Sequence, residues 1–174
     1  DVTSHVDRTD IDGKIPLFYK LARIRLERQN PLARILEVKN TQTTVQNVFT
    51  IPTDVLSIKQ VSLIQNKTVT ILQRKTEEYV RLNASTLKYY YRTQSLGYLG
   101  GIPAQGSKIE IDYMQAQPDL INATDTNAWL LQAYDVMFWG VVYQCALYLK
   151  DDEELQIAQT MMTDALNSME LQDI

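Results

Sequence analysis

Apolar positions keep a helical period at both ends of the chain and a strand period between them. Ile15, Phe18, Tyr19, Ala22 and Leu26 recur at three and four residues, one stripe of a helix. Asp12 can accept a hydrogen bond from a free backbone N–H and Pro16 fits a first turn, so this helix is expected to start near Asp12 or Gly13. Pro31 ends the pattern. Residues 1–9 are polar and carry no period, which reads as an arm.

Past Pro31 the period is two. Ile35 and Leu36 lead a short strand, and residues 45–51 make another, closed by Pro52. Leu56 and Ile58 alternate in one phase, Val61 and Leu63 in the opposite one, so a bulge is expected near Lys59 or Gln60. Asn66-Lys67 fits a hairpin turn into Val69 and Ile71. Residues 75–84 read as a short helix or loop, and residues 87–92 as a strand crowded with Tyr89, Tyr90 and Tyr91. Gly97, Gly100, Gly101, Pro103 and Gly106 mark one long turn. Residues 108–113 alternate cleanly, as a half-buried strand does.

The last third is helical. Asn127 opens a helix expected to run to Leu149. Lys150-Asp151-Asp152 interrupts it, and Asp151 with Glu154 has the form of a capping box. On the final helix Leu155, Ala158, Met162, Ala165 and Met169 form a stripe. The penultimate helix is apolar nearly all round. Met137, Phe138, Val141, Cys145, Tyr148 and Leu149 can form one face, while Val136, Trp139, Val142 and Tyr143 fall outside it. Such a helix is either a central core helix or one whose second face meets a neighbouring subunit. In the second case Trp139, Val142 and Tyr143 are the candidate interface residues.

A length of 174 residues suits one domain, or one domain with two lobes. The hydrophobic fraction of 45% and charged fraction of 22% are those of a globular chain. A net charge of -4 argues against a dedicated nucleic-acid binder, which needs a cationic surface, but does not exclude a passive DNA conduit, which should avoid gripping phosphate. The longest apolar stretch, residues 136–149, contains Gln144 and falls short of the about 20 residues that cross a bilayer. Cys145 is the sole cysteine, so no intrachain disulfide forms, and in an apolar helix it reads as a buried inert thiol. The sequons at Asn66, Asn83 and Asn122 read as chance in a chain rich in Asn and Thr.

Catalytic patterns fail one by one. His5 is the sole histidine and falls in the expected arm, so a His-rich metal site is not expected, nor a His-paired nucleophile unless the arm folds back over a site. Residues 101–108 approach a P-loop, but the final pair is Ser107-Lys108 and a strand follows, where phosphate binding needs a helix N-terminus. Asp10-Ile11-Asp12-Gly13 has part of a calcium loop, with Arg8 at the first ligand position and Tyr19 at the closing one. Asp151 to Glu154 suits a first helical turn better than a metal. Lys14, Lys20, Arg23, Arg25 and Arg28 make helix one basic; a solvated face, or one paired with the acidic final helix, is expected ahead of a nucleic-acid face. The tyrosine cluster is ordinary strand and interface content. No catalytic residue, cofactor or metal is therefore expected. A small hydrolase would need Asp54 to converge with Glu110 or Asp112.

Several phrases, in order, resemble the head-to-tail adaptor (connector) proteins of tailed bacteriophages. The opening helix from Ile15 to Leu26 is similar to the family's start, and Ile51-Pro52-Thr53-Asp54-Val55-Leu56 to its proline-acid phrase leading into a strand. Lys88-Tyr89-Tyr90-Tyr91-Arg92 and Ile109-Glu110-Ile111-Asp112-Tyr113 look like its paired late strands. Thr126-Asn127-Ala128-Trp129-Leu130-Leu131, the apolar helix, and Ala146-Leu147-Tyr148-Leu149-Lys150-Asp151-Asp152-Glu153 look like its helical finish. The resemblance covers about residues 12 to 170; the Gly-rich connection over residues 96–108 departs from it.

The resemblance implies an α+β fold: a helical bundle of the N-terminal helix and two C-terminal helices (about residues 12–30 and 125–172), with an inserted antiparallel β-rich lobe (about residues 33–118), all one adaptor domain over residues 1–174. It implies a structural virion protein at the neck, assembled in the host cytoplasm and not associated with a membrane. The implied assembly is a homo-oligomeric ring, a dodecamer, between the portal protein and a tail tube or nozzle protein. Genome DNA would pass through its channel without sequence-specific binding. Another phage neck, head-completion or tail structural subunit is the alternative.

Overall fold

The computed structural model describes residues 2, 5, 10–29, 34–44, 46–122 and 124–172. In chain order the elements are α1 (Ile15–Gln29), β1 (Glu37–Thr44), β2 (Val48–Thr50), β3 (Val55–Gln65), β4 (Thr68–Ile71), β5 (Gln73–Arg74), α2 (Glu77–Leu82), β6 (Tyr89–Arg92), β7 (Leu96–Leu99), β8 (Ser107–Gln115), α3 (Ala128–Gln132), α4 (Tyr134–Leu149) and α5 (Asp152–Gln172). They form an α+β fold of two compact units: Asp1–Leu36 with Ala116–Ile174, and Glu37–Gln115.

The first unit is helical. A 3-10 turn, Asp12–Lys14, leads into α1. Its N-cap is Ile11, without a side-chain cap, so Asp12 sits in the first turn instead of capping it. Pro31 lies outside the described residues, and α1 ends at Gln29. Phe18, Tyr19, Ala22 and Leu26 are buried, as the stripe required. The helix packs on α4 where both chains are small: a Cβ on Gly140 would meet the Ala22 Cβ at 3.3 Å. α4 packs in turn on α5, which buries Ala158 and Met162. Each fully buried aliphatic side chain contributes about 1.5–3 kcal/mol.

The single helix expected from Asn127 to Leu149 is two. The Asn127 Oδ1 accepts from the Leu130 N–H at 3.1 Å and starts α3, but the chain leaves helical geometry at Ala133 (φ -143°) before α4 begins. Local period cannot see this break, because the apolar pattern runs straight through it. Trp129 on α3 is 0% exposed. α4 ends at Lys150, which adopts the left-handed conformation (φ 57°). Asp151 Oδ1 then accepts from the Glu154 N–H at 3.0 Å, half of the expected capping box. The reciprocal bond is not made, since the Asp151 N–H donates to the Ala146 carbonyl.

The expected arm lies mostly outside the described residues. Two of its members are described, Val2 and His5, and both are helical.

The second unit is two four-stranded sheets, ordered β1-β8-β3-β4 and β2-β7-β6-β5. Every pairing is antiparallel except β5 with β6, which the α2 crossover makes parallel. Ile35 and Leu36 lie in a 3-10 turn, Arg34–Leu36, that precedes β1. Val45 lies outside the described residues, and the strand expected around it is β2. The phase slip in β3 is a register shift between Ile58 and Gln60 against β8, which turns Ile58, Val61 and Leu63 to the same side as Tyr113, Ile111 and Ile109. Asn66 and Lys67 take positive φ, 48° and 67°, as a tight hairpin turn requires. The region expected as one long turn contains a strand, β7. Its Gly97 packs under Phe49: a Cβ there would lie 2.1 Å from the Phe49 Cζ. Phe49, Val61, Leu63, Tyr90, Leu99, Ile109 and Ile111 from both sheets share one core.

Candidate interaction surfaces

The acids named for a hydrolase do not converge. Asp54 accepts from the Tyr113 hydroxyl at 3.2 Å and from the Gln115 side-chain amide at 2.6 Å. Strand alternation puts Glu110 and Asp112 on the opposite face of β8, where Lys39 Nζ lies 2.9 Å and 3.6 Å from them. Among the described residues no group of three or more His, Cys, Asp or Glu could hold a metal ion. Residues 101–108 enter β8 instead of a helix, and Asp12 and Gly13 are in a 3-10 turn. Cys145 is 0% exposed, and burial pushes its thiol up to about 11, so the thiolate needed for nucleophilic attack is suppressed. The tyrosines are spoken for. Tyr91 stacks on Tyr98 at 4.7 Å, Tyr89 meets Tyr79 edge-on, and buried Tyr90 packs against Phe49.

The three interface candidates on α4 have different surroundings. Val142 is 0% exposed within the chain and has no surface to offer a neighbour. Val136 is buried as well, so much of the second apolar face of α4 is filled from inside the unit. Trp139 and Tyr143 are half-buried. The His5 ring meets Trp139 edge-on at 5.2 Å, and its Nε2 lies 3.0 Å from Glu154 Oε1. The Arg25 guanidinium lies over the Tyr143 ring at 3.8 Å. Packing between α1, more than a hundred residues earlier, and the adjacent α5 makes α4 the middle helix, which favours the central core reading for most of its apolar surface.

Helix α1 divides its cations. Arg23 is buried and forks between Glu27, at 2.9 Å, and Asp119, at 2.6 Å. Lys20 reaches Asp119 at 2.8 Å. Glu27 also accepts from the Gln117 N–H at 2.9 Å, while the Gln117 side chain accepts from the Ala128 N–H. Tyr19 donates to Asn127 Oδ1 at 3.2 Å, and burial pushes its hydroxyl up to about 12. These bonds fix the segment before α3 onto α1. Lys14 lies over the Tyr148 ring. None of the described cations of α1 is paired with α5, so of the two expected readings the solvated face holds for Lys20 and Arg28, which are exposed, and pairing with the final helix is absent among the described residues.

The helical unit also carries exposed apolar side chains, most of them beside a stronger core stripe that masks them in the sequence. Leu17 and Leu21 on α1, Leu147 and Tyr148 on α4, and Ile157 and Met161 on α5 are each more than two-fifths exposed. An apolar helical surface without an acid–base or metal constellation is the equipment of an assembly component. The family model described as SU10 adaptor protein matches residues 1–174. The chain belongs to that adaptor family. No curated protein matches the adaptor. The family is one of phage structural adaptors, and in this adaptor no described helix is long and apolar enough to cross a membrane.

Proposed function

We propose that this adaptor is a non-enzymatic ring subunit that joins a phage portal to a tail and continues the DNA channel. Residues 1–174 act as one adaptor domain, and the family match over that whole span carries the reading. The assembly is a dodecamer at the virion neck, built in the host cytoplasm. Its helices dock on the portal, and its β-rich part receives a tail tube or nozzle protein. Genome DNA passes through without sequence-specific contacts, which suits a net charge of -4. Trp139 and Tyr143, half-buried on α4, contribute to the contact with a neighbouring subunit or the portal.

Electron microscopy of assembled particles tests the proposal. The chain should appear as a ring of twelve copies between portal and tail, around the channel. Density for it elsewhere in the virion, or as single copies, would displace this reading.

A further inference from the structure

The helical unit carries two unlike outer faces that fit one another. On and just before α1, positions 14, 17, 21, 24 and 28 recur at three and four residues and lie on one side. Leu17 is 53% and Leu21 42% exposed at the centre of this stripe. Lys14 and Arg28 are exposed at its ends, and Arg28 has no carboxylate partner among the described residues. On α5, Glu153, Ile157, Met161 and Asp164 form a second stripe. Ile157 is 45% and Met161 42% exposed. Glu153 and Asp164 are exposed at its ends, also without a cationic partner among the described residues. No Lys or Arg occurs anywhere from Asp151 onward. The two stripes have the same layout, an apolar centre between charged ends, with opposite sign. They span about 20 Å and about 16 Å at the helical rise.

Resting on the ring reading above, we infer that the α1 stripe of one copy docks on the α5 stripe of the next. Both helices bury their inner sides toward α4, so both stripes are left for a partner. A partner that is a second copy is selected by charge. Pairing α1 with α1 sets Lys14 and Arg28 against their own kind, and pairing α5 with α5 does the same for Glu153 and Asp164. Only the unlike pairing brings cation to carboxylate over a shared apolar strip. Two different faces meeting head to tail make a heterologous contact, the kind that closes rings.

The test uses the whole chain and two cysteine variants, Leu21→Cys and Met161→Cys; Cys145 is buried and stays silent. Oxidising a mixture of the two should give a covalent dimer, and oxidising either alone should give none. In the same mixture, Lys14→Glu with Arg28→Glu should lower the yield about tenfold, as should Glu153→Lys with Asp164→Lys, while both reversals together should restore it. All these positions are exposed, and circular dichroism confirms folding of each variant. A dimer from Leu21→Cys alone, no excess over a control pair of Leu82→Cys with Met161→Cys, or no rescue by the double reversal overturns the interface. A ring seen on particles despite that failure means another face builds it; absence of any ring on particles is failure of the ring reading itself.

Discussion

Glu27 and Gln117, ninety residues apart, are joined by a 2.9 Å hydrogen bond from the Gln117 backbone N–H to Glu27 Oε1. The same carboxylate receives the Arg23 guanidinium at 2.9 Å, and both side chains are nearly inaccessible. One buried group therefore neutralises a charge and satisfies a backbone donor. Glu27→Ala removes both partners at once and should lower the unfolding free energy by about 3–5 kcal/mol. Glu27→Gln keeps an acceptor for Gln117 and should cost less. Urea denaturation of the two variants beside the parent checks the order; equal costs would mean that the charge alone matters.

Acid should weaken the helical unit through Asp119. Hydrogen bonds from Lys20 and Arg23 hold its carboxyl below the usual carboxylate range. The folded chain then binds the proton more weakly than the unfolded chain. Its contribution to stability is fully present above about pH 4 and is lost as pH falls through the lower folded value. Asp119→Asn should be less stable than the parent at pH 7, and the gap in thermal midpoint should close toward pH 3. A gap that stays constant would remove Asp119 from the acid response.

In the β-rich unit, Gly97 is a test of close packing. Gly97→Ala forces a methyl into the Phe49 ring, since Cβ would fall 2.5 Å or less from three ring carbons. The expected cost is about 1–3 kcal/mol, measured by denaturant midpoint. Placing the same change on Phe49→Leu should recover part of it. Additive costs in the double variant would show that the two sites do not touch.

Trp139 and Val142 should separate assembly from folding. Val142 is fully buried, so Val142→Glu puts a charge in the core and should unfold the isolated chain. Trp139 is half-buried, so Trp139→Glu should leave the isolated chain folded while blocking ring formation on the portal. Circular dichroism reads the first outcome and electron microscopy of particles the second. If Trp139→Glu unfolds the chain, the residue serves only the intrachain core.

Much of the local structure was legible in the residues. The Ile58 to Gln60 register shift, the Asn66-Lys67 turn and the clean alternation of β8 each follow from a period-two pattern and its interruptions. The apolar stripe of α1 and the end of α4 at Lys150 follow in the same way. β7 was hidden because Gly97, which looks like a turn signal beside Gly100 and Gly101, is there to admit Phe49 from a strand more than forty residues earlier. The break at Ala133 was hidden because both sides of it are apolar.

The sequence by itself determined that helical segments flank a strand-rich middle, since that depends on local period. Tertiary structure decided what each face meets. It put Val142 in the core and left Trp139 and Tyr143 half-covered. It tied Arg23 to Asp119 and Glu27 to Gln117, and left Arg28, Leu17 and Leu21 outward. The reason is physical. A helical period says that a stripe will be buried, but packing of segments a hundred residues apart decides which stripe is covered and which remains for a partner.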